Sequence, residues 1–524
     1  METTYDYSGN YHGICQCDNC KKRFWDMYKS HLPVKEDGND PNFLLYDQFR
    51  KETSRELFNR IAAFIKSKNP DIAISTWGHE GIDIFRSESN TGIDRPLPEW
   101  NYSASQNVKT VTASWKHIAP SNTAVHFIDF PYRHSGVSPH LTASRIAQSI
   151  ANGGWSDYYV IGTLLNQDDR LCFEKVKSLF KFHEQNERYF TNVDSVADIC
   201  MIAPHSSSIY GSMAEFKGIY RILSENHALF DVIHDSLLES PDLLPILKKY
   251  QAVILPDMRN MNEHTLCIVD QYVQEGGKII CTGGTGFFDE RGNLRKHPGL
   301  KSSGIEKVNQ MIQRKRGSYF RIKPSDKEVL SGFDDLDIIY LDSPFMDCSV
   351  KDTACKYLGY IPPCMYGPPE KCYYTEVTDI PGVIEYSYFH GKSIFVPWNL
   401  GRHYEKLSNH AHSKLLIGIL HDLLGIDRTL KTNASPLVEM TSQIEKEGQR
   451  QLVSAVNLSG QLGTAFHEPI PMHDIQIMLK VDKEPKKVFS LLGKQELSFE
   501  SVCEGFIKFT IPRLDLIETV VIEF

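Results

Sequence analysis

Hydrophobic residues recur with two different periods in the first 192 residues of the chain. Between residues 46 and 66, Leu57, Ile61, Phe64 and Ile65 follow the spacing of one helix face, and short apolar runs between such segments have the length of strands. Strands that alternate with helices form a parallel sheet with polar chemistry at its carboxyl ends, and about four strands are half of a (β/α)8 barrel. Helices are also predicted over 21–31, 105–118, 141–151 and 171–192, and strands over 72–77, 81–85, 124–130 and 158–163.

A second alternating pattern occupies residues 193–428. The pattern predicts a doubly wound, flavodoxin-like α/β domain. Its predicted strands are 199–203, 230–233, 252–257, 278–284 and 393–397. Helices are predicted over 214–225 and 414–424, and a third helix follows strand 252–257 and ends at residue 274.

The helical period disappears after residue 428. Short strands separated by turns are predicted over 453–458, 475–481, 487–492 and 520–524, and these indicate a small antiparallel β-sandwich. The sequence therefore predicts an α/β protein with three domains: a partial barrel over 1–192, the doubly wound domain over 193–428, and the sandwich over 429–524.

Composition narrows the function classes. The chain has 524 residues and a net charge of −9, which argues against a nucleic-acid partner because phosphate binding needs a basic face. No run of 18 apolar residues and no secretory signal at the start are present. Most of the 12 cysteines are scattered, as is typical of reduced thiols in the cytosol. We therefore expect a soluble cytoplasmic protein without a membrane partner.

Three cysteines form one local cluster. Cys15, Cys17 and Cys20 lie within six residues, so their thiolates can converge on one structural Zn²⁺. A closed structural zinc site has four ligands, and the nearby His12 and His31 are poorly spaced for the fourth position. The alternative is three reduced cysteines on a loop and at a helix start.

The cysteine segment, continued to Phe24, resembles the Cys-x-Cys-x-x-Cys-x-x-x-Phe segment of β-galactosidases with a trimerisation domain. It is even more similar to that of the related α-L-fucosidase-like, or hypothetical glycosyl hydrolase, families. The segments 255–257 (Leu-Pro-Asp) and 396–401 (Val-Pro-Trp-Asn-Leu-Gly) also resemble that trimerisation domain. The resemblance implies a barrel, a class I amidotransferase-like domain and a β-sandwich, a carbohydrate substrate, and a homo-oligomer, either a trimer or a dimer.

The same resemblance implies where the barrel begins. In those families the cysteine segment follows the fourth barrel strand, which delivers a catalytic carboxylate. Strands one to four, and with them that carboxylate, would then lie upstream of Met1.

Carboxylates concentrate after the first two predicted strands, at the edge where a barrel places its active site. Glycosidases need a pair of them, one to protonate the leaving oxygen and one to attack the sugar or activate water. Glu88 is our first candidate for the acid/base and Glu80 the second. Either is alternatively a solvated loop residue or a partner of a nearby arginine. The second catalytic carboxylate is Asp6, Asp129, or one upstream of the chain.

Aromatic and hydrogen-bonding residues near the same edge are candidates for sugar contacts, because the C–H face of a sugar stacks on aromatic rings. The alternative for the aromatic residues is core packing. The candidates are Trp77, His79, Arg86, Trp100, Asp129, Arg133 and His134.

The doubly wound domain has no amidotransferase signature. Cys281 lies inside a predicted strand, before the glycines of the Gly283-Gly284 turn, and not on a glycine-flanked strand–helix turn. We therefore expect a non-catalytic assembly module. The predicted function is an exo-acting, retaining glycoside hydrolase that releases terminal fucose or galactose, inactive as given if half of the barrel is missing. The alternative is a catalytically silent carbohydrate-binding or scaffold protein.

Overall fold

The structure is a computed structural model that describes residues 12–37, 40–78, 80–95, 100–205, 211–290, 292–502 and 505–524. The predicted site residues Asp6 and His79 lie outside these ranges. Within them, no helix is both long enough and apolar enough to cross a membrane.

The first region contains a four-stranded sheet whose strands are all parallel, in the order β1-β2-β3-β4. The predicted alternation of helices and strands is present, although the strand limits differ. The elements are α1 (Asp18–Tyr28), α2 (Pro41–Lys68), β1 (Ser75–Thr76), β2 (Ile84–Ser89), α3 (Ser103–Ser114), β3 (Ala119–Val125), α4 (Pro139–Ala151), β4 (Trp155–Tyr159) and α5 (Phe173–Phe190), with 3₁₀ turns at Phe130–Tyr132 and Leu164–Asn166.

The largest difference from prediction is in β3, which ends at Val125 and not near residue 130. Its first half is polar, so hydrophobic periodicity did not detect it. These polar residues are nevertheless buried because they bond to neighbouring strands: Asn122 Oδ1 accepts from Ser89 Oγ at 3.0 Å, and Thr123 Oγ1 donates to Asp157 Oδ2 at 2.5 Å.

The two faces of this sheet have different environments. Helices cover one face, where Phe85 stacks on Trp115 at the end of α3 with ring centroids 5.6 Å apart. The other face carries Arg86 and Asp157, both half-buried, and Trp155, which is 51% exposed. One face of the parallel sheet is therefore partly open and polar.

The second region is built on a nine-stranded mixed sheet in the order β12-β11-β14-β15-β16-β9-β8-β6-β7. Strands β7, β6, β8, β9 and β16 are parallel neighbours, which is the flavodoxin-like order. The strands are β5 (Val193–Ser195), β6 (Ile199–Ala203), β7 (Phe230–His234), β8 (Ala252–Leu255), β9 (Lys278–Thr282), β10 (Ile305–Ile312), β11 (Ser318–Arg321), β12 (Ile338–Leu341), β13 (Phe345–Val350), β14 (Cys355–Ile361), β15 (Pro381–Tyr388) and β16 (Gly391–Val396).

The helices of this region lie on both sides of the sheet's parallel half. The helices are α6 (Met213–Glu225), α7 (Leu243–Leu247), α8 (Glu263–Gln274), α9 (Pro324–Lys327), α10 (Leu400–Leu407) and α11 (His410–Gly418), continued by a π-helical turn at Ile419–Leu423. The sequence did not predict the antiparallel strands between residues 318 and 388, because several are short and their apolar residues alternate with polar ones.

The C-terminal region contains two large antiparallel sheets, β17-β22-β26-β25 and β24-β23-β27-β19-β18-β5, and a two-stranded sheet, β20-β21. Because β5 joins the second of these sheets, residues 193–195 pair with the C-terminal strands. The strands are β17 (Leu430–Thr432), β18 (Val438–Glu445), β19 (Arg450–Asn457), β20 (Gln461–Leu462), β21 (Ala465–Phe466), β22 (Met472–Lys480), β23 (Lys487–Ser490), β24 (Gln495–Glu496), β25 (Phe499–Val502), β26 (Phe506–Leu514) and β27 (Ile517–Glu523).

The three regions share buried contacts. One hydrophobic cluster contains residues from all of them, for example Ile146, Ile219 and Val456. A buried polar contact also joins the first and last regions, because Glu439 on β18 accepts hydrogen bonds from Ser105 Oγ at 2.6 Å and from Gln148 Nε2 at 3.0 Å. These contacts hold the parallel sheet against the rest of the protein.

Candidate active site

Glu88 is the penultimate residue of β2, at the carboxyl edge of the parallel sheet. Its backbone is held in place by Asn107 on α3, whose Nδ2 donates to Glu88 O at 3.1 Å. The half-buried Glu88 lines a cavity of about 200 Å³, together with Asn90, Arg95 and Asp129. The structure thus places the first candidate acid/base at the edge where the sequence predicted it.

Two residues after β2 orient the Glu88 carboxylate. Asn90 Nδ2 donates to Glu88 Oε2 at 3.4 Å. Arg95 Nη1 donates to the backbone carbonyl of Asn90 at 3.0 Å and also contacts Asn90 Oδ1. Because the guanidinium has no acceptor, it fixes which end of the Asn90 amide faces Glu88. From the sequence, Arg95 was expected only as one of the two arginines, with Arg86, that could pair with Glu80 or Glu88, and Asn90 was not a candidate.

Asp129 lines the same cavity but does not end a strand. It lies four residues beyond β3 and caps the 3₁₀ turn at Phe130–Tyr132. Asp129 Oδ1 accepts from the backbone N–H of Phe130 at 2.7 Å, and Oδ2 accepts from that of Ile93 at 3.0 Å. Glu88 and Asp129 therefore line one cavity, and the Asp129 side chain is anchored there by two backbone N–H groups.

Glu80 and Arg86 are not among the described residues that line this cavity. Glu80 has a side chain that is 53% exposed and forms a loose ion pair with Arg55 at 3.7 Å. Arg86 lies on the open face of the sheet, where its Nε donates to Asp157 Oδ2 at 3.2 Å. Its guanidinium also lies over the ring of Tyr159, 5.4 Å from the centroid. Asp157, on β4, had no distinguishing signal in the sequence.

The aromatic and basic candidates are dispersed. Trp77 follows β1 and is 64% exposed, whereas Trp100 packs edge-on against Tyr220 of α6 at 5.6 Å and bonds through Nε1 to Gln106. Arg133 and His134 are exposed in the loop after the 3₁₀ turn. None of these four belongs to the described lining of the cavity, which includes the aromatic residues Phe127 and Phe130 instead.

The cysteine cluster is compact. The sulfur atoms of Cys15, Cys17 and Cys20 all lie within 4.8 Å of one another, and Cys17 Sγ caps α1 by accepting from Cys20 N at 3.5 Å. Sulfurs bound to one tetrahedral zinc at about 2.3 Å are about 3.8 Å apart, so small shifts bring these thiolates onto one ion. Soft thiolates are ligands that Zn²⁺ prefers. The three cysteines fit three of the four positions of a structural zinc site.

Cys281 is fully buried inside β9, and burial raises the pKa of its thiol. A protonated, inaccessible thiol is not a nucleophile.

No protein-family model matches the sequence, and no curated protein sequence matches it. Solved structures are nevertheless similar over nearly the whole chain. Alpha-L-fucosidase isoenzyme 2 from Paenibacillus thiaminolyticus superposes with a TM-score of 0.75 at 19% identity, covering 97% of this chain and 76% of that one. The β-galactosidase from Bacillus circulans sp. alkalophilus has a TM-score of 0.67 at 15% identity, with 98% and 78% covered. The β-galactosidase from Rahnella sp. R3 has a TM-score of 0.64 at 13% identity, with 98% and 77% covered.

These similarities establish that the fold is one that glycoside hydrolases use. At such low identities they concern the fold alone, because one fold hosts many functions and function depends on the site.

Proposed function

We propose that the chain is a glycoside hydrolase that removes a terminal fucose or galactose from glycans, with Glu88 as the general acid. The observation that carries the proposal is the position of Glu88: it is the penultimate residue of a parallel strand and lines a cavity that Asp129 also lines. The solved neighbours with the same fold are named as a fucosidase and as β-galactosidases, and this supports the choice of sugars.

The proposed chemistry divides two roles between the two carboxyl groups. Glu88 protonates the glycosidic oxygen as its bond to the sugar breaks, and Asp129, held by two backbone N–H groups, forms the new bond to the sugar. Glu88 then takes a proton from water, which displaces the sugar from Asp129 and restores both carboxyl groups. A retaining mechanism needs about 5–5.5 Å between the two groups.

The cavity of about 200 Å³ is below the range of roughly 300–1,000 Å³ for sites that bind drug-sized ligands. This size favours a single terminal sugar over an internal one.

The direct test is hydrolysis of 4-nitrophenyl α-L-fucoside and β-D-galactoside by the purified chain. We expect turnover of one of the two, and a loss of about 10²–10⁴-fold in kcat for Glu88→Gln, which removes the proton donor. Glu80→Gln is the matched control, because it neutralises an exposed carboxylate outside the cavity. Equal turnover by Glu88→Gln and wild type would exclude Glu88 as the acid.

One observation favours the second candidate function, a catalytically silent carbohydrate-binding or scaffold protein. Both oxygens of Asp129 already hold the loops after β2 and β3 together, which is a sufficient structural reason for its position. Sugar binding without hydrolysis of either nitrophenyl glycoside would support this alternative.

Two further proposals concern the assembled protein. Cys15, Cys17 and Cys20 would hold a structural Zn²⁺, supported by the convergence of their sulfur atoms. The second region would act as an assembly module in a homo-oligomer, a trimer or a dimer, as the sequence resemblance implies. Light scattering of the purified chain measures the oligomeric state.

A further inference from the structure

The parallel sheet of the first region is open on one face and at both edges. Among the described strands, β1 pairs only with β2, and β4 pairs only with β3. Parallel sheets almost always have both faces covered, and an unpaired edge strand is a template for pairing with another chain. The sheet therefore offers a partner one face and two edges.

In the described part of the chain, the other two regions attach to the sheet through the helices behind it. Lys109 on α3 donates from Nζ to the backbone carbonyl of Phe230 at 3.2 Å. Thr441 on β18 donates from Oγ1 to the carbonyl of Ala151, the last residue of α4, at 2.6 Å. The open face is therefore on the side of the sheet away from these attachments.

Exposed apolar side chains occur at both edges of the sheet and at both ends of each edge. At the β1 edge, Ile72 precedes the strand and Trp77 follows it. At the β4 edge, Trp155 begins the strand, and Leu164 and Leu165 lie beyond its carboxyl end, with Leu165 83% exposed. Clustered apolar residues of this kind mark protein interfaces.

A second copy of the chain matches this pattern. In a two-fold pair with all strands parallel, β1 of one copy lies beside β4 of the other, and the same contact recurs at the second seam. At the carboxyl ends, Trp77 of one copy then meets Leu164 and Leu165 of the other. At the amino ends, Ile72 meets Trp155. Four strands from each copy give the eight that close a (β/α)8 barrel.

The open face is also suited to the interior of a barrel, which side chains fill. The two charged residues at its centre are already paired within one copy, because Arg86 Nε donates to Asp157 Oδ2 at 3.2 Å. Arg86 Nε also donates to Thr123 Oγ1 at 3.0 Å, and the guanidinium lies over the ring of Tyr159. Enclosure by a second copy leaves neither charge without a partner, and an unpaired buried charge is what is most costly.

We propose that two copies of this chain dimerise through the open face and the edges of their parallel sheets and together close an eight-stranded barrel. Each of the two equivalent seams consists of β1 of one copy and β4 of the other. Because all strands are parallel, both Glu88 residues lie at the same rim, and each copy supplies half of the barrel mouth. This interface is separate from the second region and does not depend on catalysis by Glu88.

The test places a charge at the seam of the full chain. Leu165→Glu introduces a carboxylate at both seams of a homodimer, so we expect the Kd of the dimer to rise at least about 100-fold, because an unpaired charge replaces an apolar contact. Sedimentation velocity over a dilution series measures the Kd. Leu437→Glu is the matched control, because Leu437 is exposed in the third region, and it should associate like the wild type.

A complementary variant distinguishes this seam from any other interface. Trp77→Lys alone should weaken the homodimer in the same way as Leu165→Glu. When the two variants are mixed, a heterodimer has one wild-type seam and one seam in which the new lysine faces the new glutamate. We therefore expect the mixture to recover the dimer although neither variant does so alone.

Three outcomes would overturn the proposal. The first is a wild-type chain that is monomeric at every concentration. The second is undiminished association of Leu165→Glu or Trp77→Lys, which would show that the chain assembles through another surface. The third is a mixture of the two folded variants that does not dimerise. Circular dichroism checks folding, and if Leu165→Glu does not fold, Leu164→Glu at the adjacent exposed position replaces it.

Discussion

Asp129 Oδ2 accepts a hydrogen bond of 3.0 Å from the backbone N–H of Ile93, which ties the loop after β3 to the loop after β2. The same carboxylate caps the following 3₁₀ turn through Phe130 N at 2.7 Å. This double anchor closes one side of the cavity that contains Glu88. Asp129 therefore anchors two loops and also lines the cavity that contains Glu88.

The two roles of Asp129 separate in the variants Asp129→Asn and Asp129→Ala. Asparagine keeps one oxygen for the cap at Phe130 N, but its NH2 cannot accept from Ile93 N–H and it carries no charge, so we expect a loss of about 1 kcal/mol of stability and of at least about 10²-fold in kcat. Alanine also removes the cap, and we expect it to cost a further 1–2 kcal/mol or so of stability. Differential scanning calorimetry and nitrophenyl glycoside assays give the two readouts. Unchanged turnover by Asp129→Asn would leave Asp129 with the structural role only.

A zinc ion at the cysteine cluster would stabilise the segment that leads into α1. We expect about one zinc per chain by elemental analysis, and its loss in Cys15→Ser, Cys17→Ser or Cys20→Ser. A ligand that binds only the folded state stabilises it by about 4 kcal/mol at 1,000 times its Kd, so a chelator should lower the melting temperature of the wild type. Cys267→Ser is the control, because Cys267 is exposed and outside the cluster. A zinc content unaffected by all three cluster substitutions would contradict the proposed site.

Sequence patterns predicted the elements of this fold best where every residue of an element is apolar and buried. The strand Ile199–Ala203 has the predicted limits because all five residues are apolar and buried. Strand β3 was misplaced because Ser121, Asn122 and Thr123 are buried polar residues whose hydrogen-bond partners lie on other strands. Hydrophobic periodicity detects only buried apolar residues. A polar residue that is buried because its hydrogen-bond partner lies far away in the sequence therefore leaves no signal in the pattern.

The candidate site was predictable to a similar extent. Glu88 was identified because a carboxylate at the end of a strand is a local feature of the sequence. The Asn90 and Arg95 contacts depend on loop geometry, and the Asp129–Ile93 bond joins residues 36 positions apart. For Trp100 the sequence left sugar contact and core packing open, and the ring packs against Tyr220, a contact between regions that no local pattern indicates.

The buried carboxyl group of Glu215 predicts a pH-dependent stability. Burial, with a smaller contribution from Asp257, raises the pKa of Glu215 to about 7. Because the folded pKa exceeds the unfolded one, its contribution to stability is complete below about pH 4.5 and is lost as the pH rises through 7. Glu215→Gln cannot ionise, so we expect it to be more stable than wild type at pH 8, by up to about 3 kcal/mol.

Melting temperatures between pH 4.5 and 8 test this prediction. The control is Glu174→Gln, which changes an exposed carboxylate, with 87% of its side chain accessible, and should follow the wild-type curve. The main-chain N–H of Arg402 donates to Glu215 Oε2 at 2.9 Å, and the amide oxygen of glutamine can accept the same bond. A Glu215→Gln variant that is less stable than wild type at pH 8 would show that the ionised carboxylate is accommodated.

A pair of buried histidines predicts that folding stability also depends on pH in the opposite direction, decreasing as the pH falls below about 6.5. The rings of His403 and His412 stack with centroids 5.0 Å apart, and burial lowers the pKa of His403 to about 4 and that of His412 to about 3. His403 Nε2 accepts from the backbone N–H of Asp342 at 2.7 Å, and protonation of that nitrogen destroys the bond. The unfolded chain takes up these protons near pH 6.5, so the stabilising contribution of the neutral rings is complete above that pH and is lost as the pH falls through 4 and then 3.

Between about pH 4.5 and 6.5 Glu215 therefore opposes the two histidines but offsets only one of them, so the wild-type stability should still rise with pH there, by up to about 1.4 kcal/mol per pH unit. Replacing Glu215 leaves the pH dependence of stability that is due to the histidines, and replacing a histidine reduces that dependence. We expect His412→Phe to reduce the loss of stability below pH 6, at a cost of about 1 kcal/mol at pH 7 for the hydrogen bond with Tyr340 O. His410→Phe, at an exposed position of the same helix, is the control. If His412→Phe melts in parallel with wild type from pH 7 to pH 4, the pair does not resist protonation and the low-pH slope has another origin.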